Sequence, residues 1–316
     1  MVLFWGNFTL YQFQKSIIVF VRILHFSEKD VSKMWEQKFI ETPRGTFEYF
    51  VKGSGQPLAI THFYMAFNEK GNWFANPFTE HYQVYLINVR GAGNSPAIEM
   101  DDQMNLQEII LDLEAIREAL HIPKWAFAGH STGGMLALQY AVLKQQSLTK
   151  CICGCSAASK AYASHPNSIY CADNKNFNRI IEIMESLNNP DTPQEKRKDL
   201  GFEWSMMSFT SEEKLKHALT LPNSGRTVGR ALDYFRKVAV KSFDLREELP
   251  TVQIDTYVFG GMYDTQCPIE FSIEIADLIP TSELIIFDHS NHNPFVEEEK
   301  AFLDFVKEST KPLKLV

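Results

Sequence analysis

Residues 125–143 read WAFAGHSTGGMLALQYAVL, and this stretch decides the fold. The apolar residues 125–128 predict a buried strand, and the apolar residues 135–143 predict a helix. Between them lies a glycine-rich turn, Gly129-His130-Ser131-Thr132-Gly133, with a serine at its centre. A strand, a tight turn and a helix form the setting in which a serine hydroxyl is exposed at the end of a sheet.

A catalytic role for Ser131 requires partner residues elsewhere in the chain. A serine hydroxyl is a poor nucleophile, so acyl transfer needs a base, a group that orients the base, and donors for the oxyanion. His292 follows a predicted strand and precedes a predicted helix, which makes it the candidate base. Asp264 follows the preceding predicted strand and is the candidate orienting acid, completing the order Ser131, Asp264, His292. The weaker competitors are His289 and, within a strand, Asp255.

The rest of the pattern alternates strands with helices, which predicts an α/β fold with a mostly parallel sheet flanked by helices. Between the sheet segments lies a helical and polar stretch, which we interpret as an inserted, mostly helical cap. From Met34 the chain is typical of a first strand. The predicted domains are an apolar extension at residues 1–33, a core at 34–157 and 245–316, and a cap at 158–244.

The first 27 residues are rich in apolar side chains, but Lys15 and Arg22 interrupt the run. That run is shorter than the roughly 18 to 20 apolar residues that a membrane span requires. The interpretations left open are an extension outside the fold, a membrane or partner anchor, and an element packed on the body. We expect a chain lacking residues 1–33 to fold and remain active.

Composition excludes several classes of function. A net charge of −8, with 45% hydrophobic and 22% charged residues, indicates a folded globular protein and disfavours nucleic-acid binding. Five cysteines argue against a disulfide framework and for a reducing, cytoplasmic location. Cys151, Cys153 and Cys155 would share one strand face, and we interpret them as buried apolar residues rather than as metal ligands. No metal and no cofactor are predicted.

Four segments carry a resemblance to a known family. Three of them resemble the catalytic segments of α/β-hydrolases: the turn at 129–134, called the elbow below, Gly261-Met-Tyr-Asp-Thr-Gln-Cys-Pro268 and Ser290-Asn-His-Asn-Pro294. The fourth, Arg90-Gly-Ala-Gly-Asn-Ser95, resembles the RGxGxS loop of that family. The similarity is strongest to the proline iminopeptidase-like branch, and it covers about 40–157 and 245–308 but not the cap.

The resemblance implies Ser131 as nucleophile, His292 as general base and Asp264 as its orienter. It also implies an oxyanion hole made by the backbone N–H of Thr132 and by an N–H after His62, either from Phe63 or from Tyr64. Family members usually have glycine there, so bulky side chains at these positions either narrow the acyl pocket or pack beneath the cap. Asn291 likewise stands where glycine is usual, and asparagine tolerates left-handed backbone well.

These observations predict a cofactor-free serine hydrolase that cleaves a small carboxylic ester or amide. The alternatives are a proline iminopeptidase-like aminopeptidase and a non-catalytic small-molecule receptor on the same fold. An aminopeptidase needs a carboxylate for the substrate ammonium group, and Glu203, beside Trp204, is the candidate in the cap. The expected partner is a small ester, amide or short peptide, and the sequence does not predict the oligomeric state.

Overall fold

The computed structural model describes residues 34–313, and the predicted extension at 1–33 lies outside them. Contacts divide the chain after Met34, so the unit described here begins at Trp35. Ten strands occur within the described residues: β1 Glu36–Thr42, β2 Gly45–Lys52, β3 Gln56–Ile60, β4 Met65–Ala66, β5 Tyr82–Ile87, β6 Trp125–His130, β7 Leu148–Gly154, β8 Arg226–Thr227, β9 Thr256–Gly261 and β10 Ser282–Phe287.

The α-helices of the described part are α1 Leu106–Ala119, α2 Thr132–Lys144, α3 Phe177–Asn188, α4 Gln194–Met206, α5 Glu212–Ala218, α6 Gly229–Lys237, α7 Ile269–Leu278, α8 Pro294–Glu297 and α9 Glu299–Glu308. Short 3-10 helices occupy Asn76–Glu80, Asp101–Met104, Gln145–Ser147, Lys160–Ser164, Ala239–Ser242 and Leu249–Thr251. None of the helices in residues 34–313 is both long and apolar enough to cross a bilayer.

Eight strands form the central sheet in the order β1-β2-β5-β3-β6-β7-β9-β10. The pairs β1–β2 and β2–β5 are antiparallel, and every other neighbouring pair in this sheet is parallel. This confirms the predicted mostly parallel sheet. The carboxyl ends of parallel strands meet at one edge, so the loops after β6, β9 and β10 can converge there.

Apolar side chains cover both faces of the sheet. Trp125, Phe127 and Cys153 belong to one core cluster, whereas Ala126, Ala128 and Ile152 belong to another, as expected for strands that alternate between two buried faces. The predicted alignment of three cysteines on one face is wrong for Cys155, which packs in the second cluster. Cys155 lies beyond the end of β7 with a φ of 46°, so the strand alternation does not reach it.

In the 158–244 interval the sequence predicts helices at 177–187, 193–208 and 211–219, and the structure has them as α3, α4 and α5. Besides short 3-10 helices, the interval contains two elements that the sequence did not predict. Helix α6 is one, and the other is β8, which pairs with β4 in a two-stranded sheet. A strand of two residues is too short to show the alternation of buried and exposed side chains that predicts a strand. After His292 the sequence predicts one helix over residues 296–308. In the structure this helix begins at Pro294 and is interrupted at Glu298, whose carboxylate accepts hydrogen bonds from the loop after β10.

The C-terminal turn of α9 binds the middle of the sheet. The buried ammonium of Lys150 on β7 donates to the carbonyls of Ser309 and Lys311. The hydroxyl of Tyr82 on β5 donates to the Ser309 carbonyl at 2.7 Å. Because the carbonyls at the end of a helix carry partial negative charge, the Ser309 carbonyl stabilises this cation, and the charge of Asp255 adds to the effect.

Candidate active site

Ser131 lies between β6 and α2 with φ 57° and ψ −123°, a conformation that side chains other than glycine rarely adopt. This backbone conformation costs on the order of 1–3 kcal/mol and persists only where the surrounding structure holds it in place. Small neighbours make the turn possible. A Cβ at Gly129 would lie 1.8 Å from the Gly133 carbonyl oxygen, and one at Gly133 would lie 2.7 Å from the Thr61 carbonyl oxygen.

His292 and Asp264 form a buried pair at the carboxyl edge of the sheet. The two carboxylate oxygens of Asp264 lie 3.0 and 2.9 Å from Nδ1 of His292. One of these oxygens also accepts the backbone N–H groups of Gln266 and Cys267, at 2.8 and 2.9 Å. A carboxylate accepts only, so Nδ1 carries the proton in this contact and Nε2 is left to act as a base.

Hydrogen bonds with neighbouring residues hold the loop that carries His292 in place. The Asn291 side chain accepts the Thr265 N–H at 2.9 Å, which links the histidine loop to the aspartate loop. The Asn291 N–H donates to Glu297 at 2.8 Å. Asn291 does not have a positive φ, so asparagine is here an anchoring side chain and not a substitute for glycine in left-handed backbone. The sequence did not predict this role.

His130, the second residue of the elbow, also holds His292. Its Nε2–H donates to the backbone carbonyl of His292 at 2.7 Å, and the ring centroids are 4.5 Å apart. Burial lowers the pKa of His130 well below 6.5, so the ring is neutral at physiological pH. The contact joins the elbow to the loop that carries the base, a role for His130 that no sequence pattern predicts.

Ser131 and His292 line the same cavity, which has a volume of about 790 Å³ and is also lined by residues of the 158–244 interval, including Trp204. In the described part of the chain, the Ser131 hydroxyl forms no hydrogen bond with His292. Catalytic hydrogen bonds are often long in ligand-free sites and tighten when substrate binds. The shared cavity gives a substrate access to both side chains.

The backbone N–H groups of Thr132 and Tyr64, two candidate oxyanion donors, have no strong partner among the described residues. Thr132 is the first residue of α2, whose initial N–H groups have no partner within the helix. The Tyr64 N–H has only a long contact, 3.4 Å, with Nδ1 of His62. The Nε2 of His62 lies 3.0 Å from the Thr132 hydroxyl, and burial lowers the pKa of His62 to about 3.

The two bulky residues after His62 take different places. The Phe63 ring is buried and packs on Phe235 of cap helix α6, with centroids 5.4 Å apart. Tyr64 lines the large cavity and also a smaller one beside Ser131. The Phe63 ring therefore packs on α6, while Tyr64 lines the space next to the serine.

The two predicted cap residues are separated by the structure. Trp204 lines the large cavity, whereas the Glu203 carboxylate is 40% exposed and binds the Arg179 guanidinium at 2.6 and 2.7 Å. Two residues that compete with the candidate triad lie outside the cavity. His289 donates its N–H to Glu298, and Asp255 accepts the Leu313 N–H.

Comparison with known proteins gives a family. The α/β-hydrolase fold model matches residues 63–299. The AB hydrolase superfamily protein YisY of Bacillus subtilis is 24% identical over 249 residues, which cover 78% of this chain and 89% of that protein. The proline iminopeptidase of Saccharolobus solfataricus is 24% identical over 297 residues, covering 82% and 86%. The pimeloyl-[acyl-carrier protein] methyl ester esterase of Vibrio cholerae is 23% identical over 267 residues, covering 80% and 93%.

Solved structures agree with this assignment. An α/β fold family hydrolase from Bacillus anthracis is 57% identical with a TM-score of 0.86, over 87% of this chain and 99% of that one. The esterase of Exiguobacterium antarcticum, at 23% identity and a TM-score of 0.65, covers 87% of this chain and 99% of that one and shares the fold. The relatives are hydrolases and esterases, and this chain belongs to the α/β-hydrolase fold family.

Proposed function

We propose that the chain is a serine hydrolase that cleaves a small carboxylic ester or amide through an acyl-enzyme on Ser131. The observation that carries the proposal is one cavity that reaches both the strained serine and a histidine whose Nδ1 is held by a buried aspartate. This arrangement supplies a nucleophile, a base with a defined tautomer, and a space for substrate.

In the first half-reaction, Nε2 of His292 accepts the proton of the Ser131 hydroxyl while Oγ forms a bond to the substrate carbonyl carbon. The carbonyl oxygen becomes an oxyanion, and the N–H groups of Thr132 and Tyr64 donate to it. When the intermediate collapses, the bond to the leaving group breaks and His292 gives its proton to the departing oxygen or nitrogen. The product is an ester between Ser131 and the acyl group.

In the second half-reaction, water replaces the leaving group. His292 accepts a proton from the water as its oxygen attacks the acyl carbon, and a second oxyanion forms on the same donors. Collapse breaks the bond to Oγ, and the proton on His292 returns to Ser131. The carboxylic acid is released, and no electrons or further reactants are required.

The surroundings of His292 favour this proton transfer. Asp264 stabilises the imidazolium that forms at each step, and it is held by two backbone donors that keep both oxygens facing Nδ1. The neighbouring rings of His62 and His130 stay neutral because burial lowers their pKa values. A second positive charge beside the imidazolium is therefore avoided.

The same site supports ester cleavage better than removal of an N-terminal residue. An aminopeptidase needs a free carboxylate near the scissile bond, and Glu203 is occupied by Arg179 at the surface. Among the described residues that line the large cavity, Asp199 is the only one with a carboxylate, and it is exposed. Iminopeptidase-like activity and ligand binding without catalysis remain the alternatives that the following experiment separates.

A fluorophosphonate probe tests the nucleophile, because it forms a stable adduct only with an activated serine. We expect one adduct on Ser131 in the folded wild-type chain and none in Ser131→Ala, whose melting temperature stays within a few degrees. A panel of short-chain esters, lactones and N-terminal proline amides then defines the activity. Absence of the adduct would defeat the proposal and favour a receptor, and a preference for proline amides would favour the aminopeptidase.

A further inference from the structure

A second cavity, of about 180 Å³, also reaches Ser131. Its walls include the candidate oxyanion residues Tyr64 and Thr132, and residues of the cap interval such as Tyr162 and Arg236. His292 lines the large cavity but not this small one. Two spaces of different size and composition therefore meet at the serine.

The position of His292 decides which half of the substrate enters each space. In the proposed mechanism His292 protonates the leaving group, so the leaving group must lie on its side, in the large cavity. The acyl group then extends into the small cavity, past the donors of the oxyanion hole. A cavity of roughly 150 Å³ accommodates a molecule the size of benzene, so the acyl group is short.

Hydrogen-bond donors dominate the polar lining of the small cavity. Within residues 34–313, the Arg236 guanidinium forms no ion pair or hydrogen bond, and it is half-buried on α6. Tyr162 is only 6% exposed, and its hydroxyl has no hydrogen-bond partner among the same residues. No aspartate or glutamate occurs in the described lining.

These groups recognise one kind of ligand. Other polar side chains of the lining, such as Tyr170 and Gln266, are already hydrogen-bonded within the protein. A cation and a phenol without protein partners are matched by a group that carries negative charge and only accepts hydrogen bonds. A carboxylate fits, because its two oxygens match the planar fork of a guanidinium. An apolar acyl tail would leave the buried Tyr162 hydroxyl desolvated without a partner, and it would offer none to the half-buried Arg236 guanidinium.

We propose that the small cavity is an anion-binding acyl pocket, and that the substrates are esters whose acyl group ends in a carboxylate, the half-esters of short dicarboxylic acids. The assignment rests on the proposed function, since the mechanism determines which half of the substrate is the acyl half. Arg236 is the specificity-determining residue, and Tyr162 is the second donor to the distal carboxylate.

Two esters of the same shape test the proposal. Monobenzyl succinate and benzyl isocaproate have the same leaving group, and an isopropyl group in the second replaces the carboxylate of the first. We expect the wild-type chain to cleave the half-ester with a kcat/KM at least about tenfold higher, because only the half-ester forms charge-assisted hydrogen bonds with Arg236.

Substitution of Arg236 should remove this preference. In Arg236→Met, kcat/KM for the half-ester should fall by about 10- to 100-fold, and that for the neutral ester should change less than about threefold. Arg236→Lys should restore part of the loss, and Tyr162→Phe should lower the half-ester value by about 3- to 10-fold. Lys237→Met is the matched control, since it removes an exposed cation from the next position of α6, outside the cavity, and should leave the preference intact.

The outcomes separate this proposal from the one it rests on. Two results with normal fluorophosphonate labelling of Ser131 would overturn the anion pocket and leave the serine hydrolase proposal intact. One is equal cleavage of the two esters by the wild-type chain, and the other is an equal loss of kcat/KM for both esters in Arg236→Met. No labelling and no cleavage of either ester would overturn both. Binding of the two esters to Ser131→Ala, measured by calorimetry, adds a readout without turnover, in which we expect only the half-ester to lose affinity on Arg236→Met.

Discussion

At the scale of single residues, the candidate triad could be predicted because its chemistry requires particular residue types at strand ends. Ser131, Asp264 and His292 each follow a strand whose apolar run is plain in the sequence. The residues that hold them could not be predicted in this way. The His130 contact with the His292 carbonyl and the Asn291 contact with Thr265 join loops that are far apart in sequence, so no local pattern encodes them.

Asp264→Asn tests the orienting role. The amide oxygen can keep accepting the N–H groups of Gln266 and Cys267, which turns the NH₂ toward Nδ1 of His292 and favours the tautomer with the proton on Nε2. We expect kcat for ester hydrolysis to fall by about 10⁴, as in other triads with this substitution. Steady-state kinetics on benzyl esters, with the melting temperature measured in parallel, provide the check.

Asp255→Asn is the control, since this carboxylate caps the Leu313 N–H away from the cavity. Its kcat should stay within about twofold of wild type. A similar loss in both variants would mean that Asp264 stabilises the fold and does not orient the base.

At the scale of elements, periodicity predicted the long helices and strands, and it failed where tertiary contacts set the boundary. The cap helices α3, α4 and α5 begin and end within two residues of their predicted limits. By contrast, β4 and β8 exist only because they pair with each other. The break between α8 and α9 follows from the hydrogen bonds of Glu298, which a helical pattern does not reveal.

Two glycine substitutions show how differently elements tolerate a methyl group. Gly129→Ala places a Cβ 1.8 Å from a backbone oxygen at the junction of β6 and α2, so the elbow must distort. We expect a loss of several kcal/mol of unfolding free energy or insoluble protein. In Gly201→Ala the new Cβ, inside α4, meets no atom within 4 Å, and stability should rise by about 0.5–1 kcal/mol. Denaturant titration measures both, and equal effects would contradict the crowding argument.

At the scale of the whole molecule, burial of histidines makes stability depend on pH. Burial lowers the pKa of His62 from 6.5 to about 3, and it also lowers the pKa of His130 well below 6.5. In the unfolded chain both rings bind protons near pH 6.5, so acid favours the unfolded state. Their contribution to stability is present above pH 6.5 and is lost as the pH falls toward 3.

The unfolding free energy should therefore decrease between about pH 7.5 and pH 5.5, and His62→Gln should reduce that decrease by about 1 kcal/mol. Urea titrations at the two pH values measure the difference. His121→Asn is the control, because His121 is exposed and its φ of 55° suits asparagine. The same decrease in His62→Gln and in wild type would show that His62 is protonated in the folded protein.

The contact between Lys150 and the end of α9 bears on when the chain becomes stably folded during synthesis. The ammonium of Lys150 lies in the middle of the sheet, and the carbonyls that accept its hydrogen bonds belong to Ser309 and Lys311. More than a hundred and fifty residues must leave the ribosome after β7 before that cation has its acceptors. We expect a nascent chain halted before Ser309 to stay protease-sensitive and one extended past Lys311 to become resistant, because only the longer chain supplies these acceptors for the Lys150 ammonium.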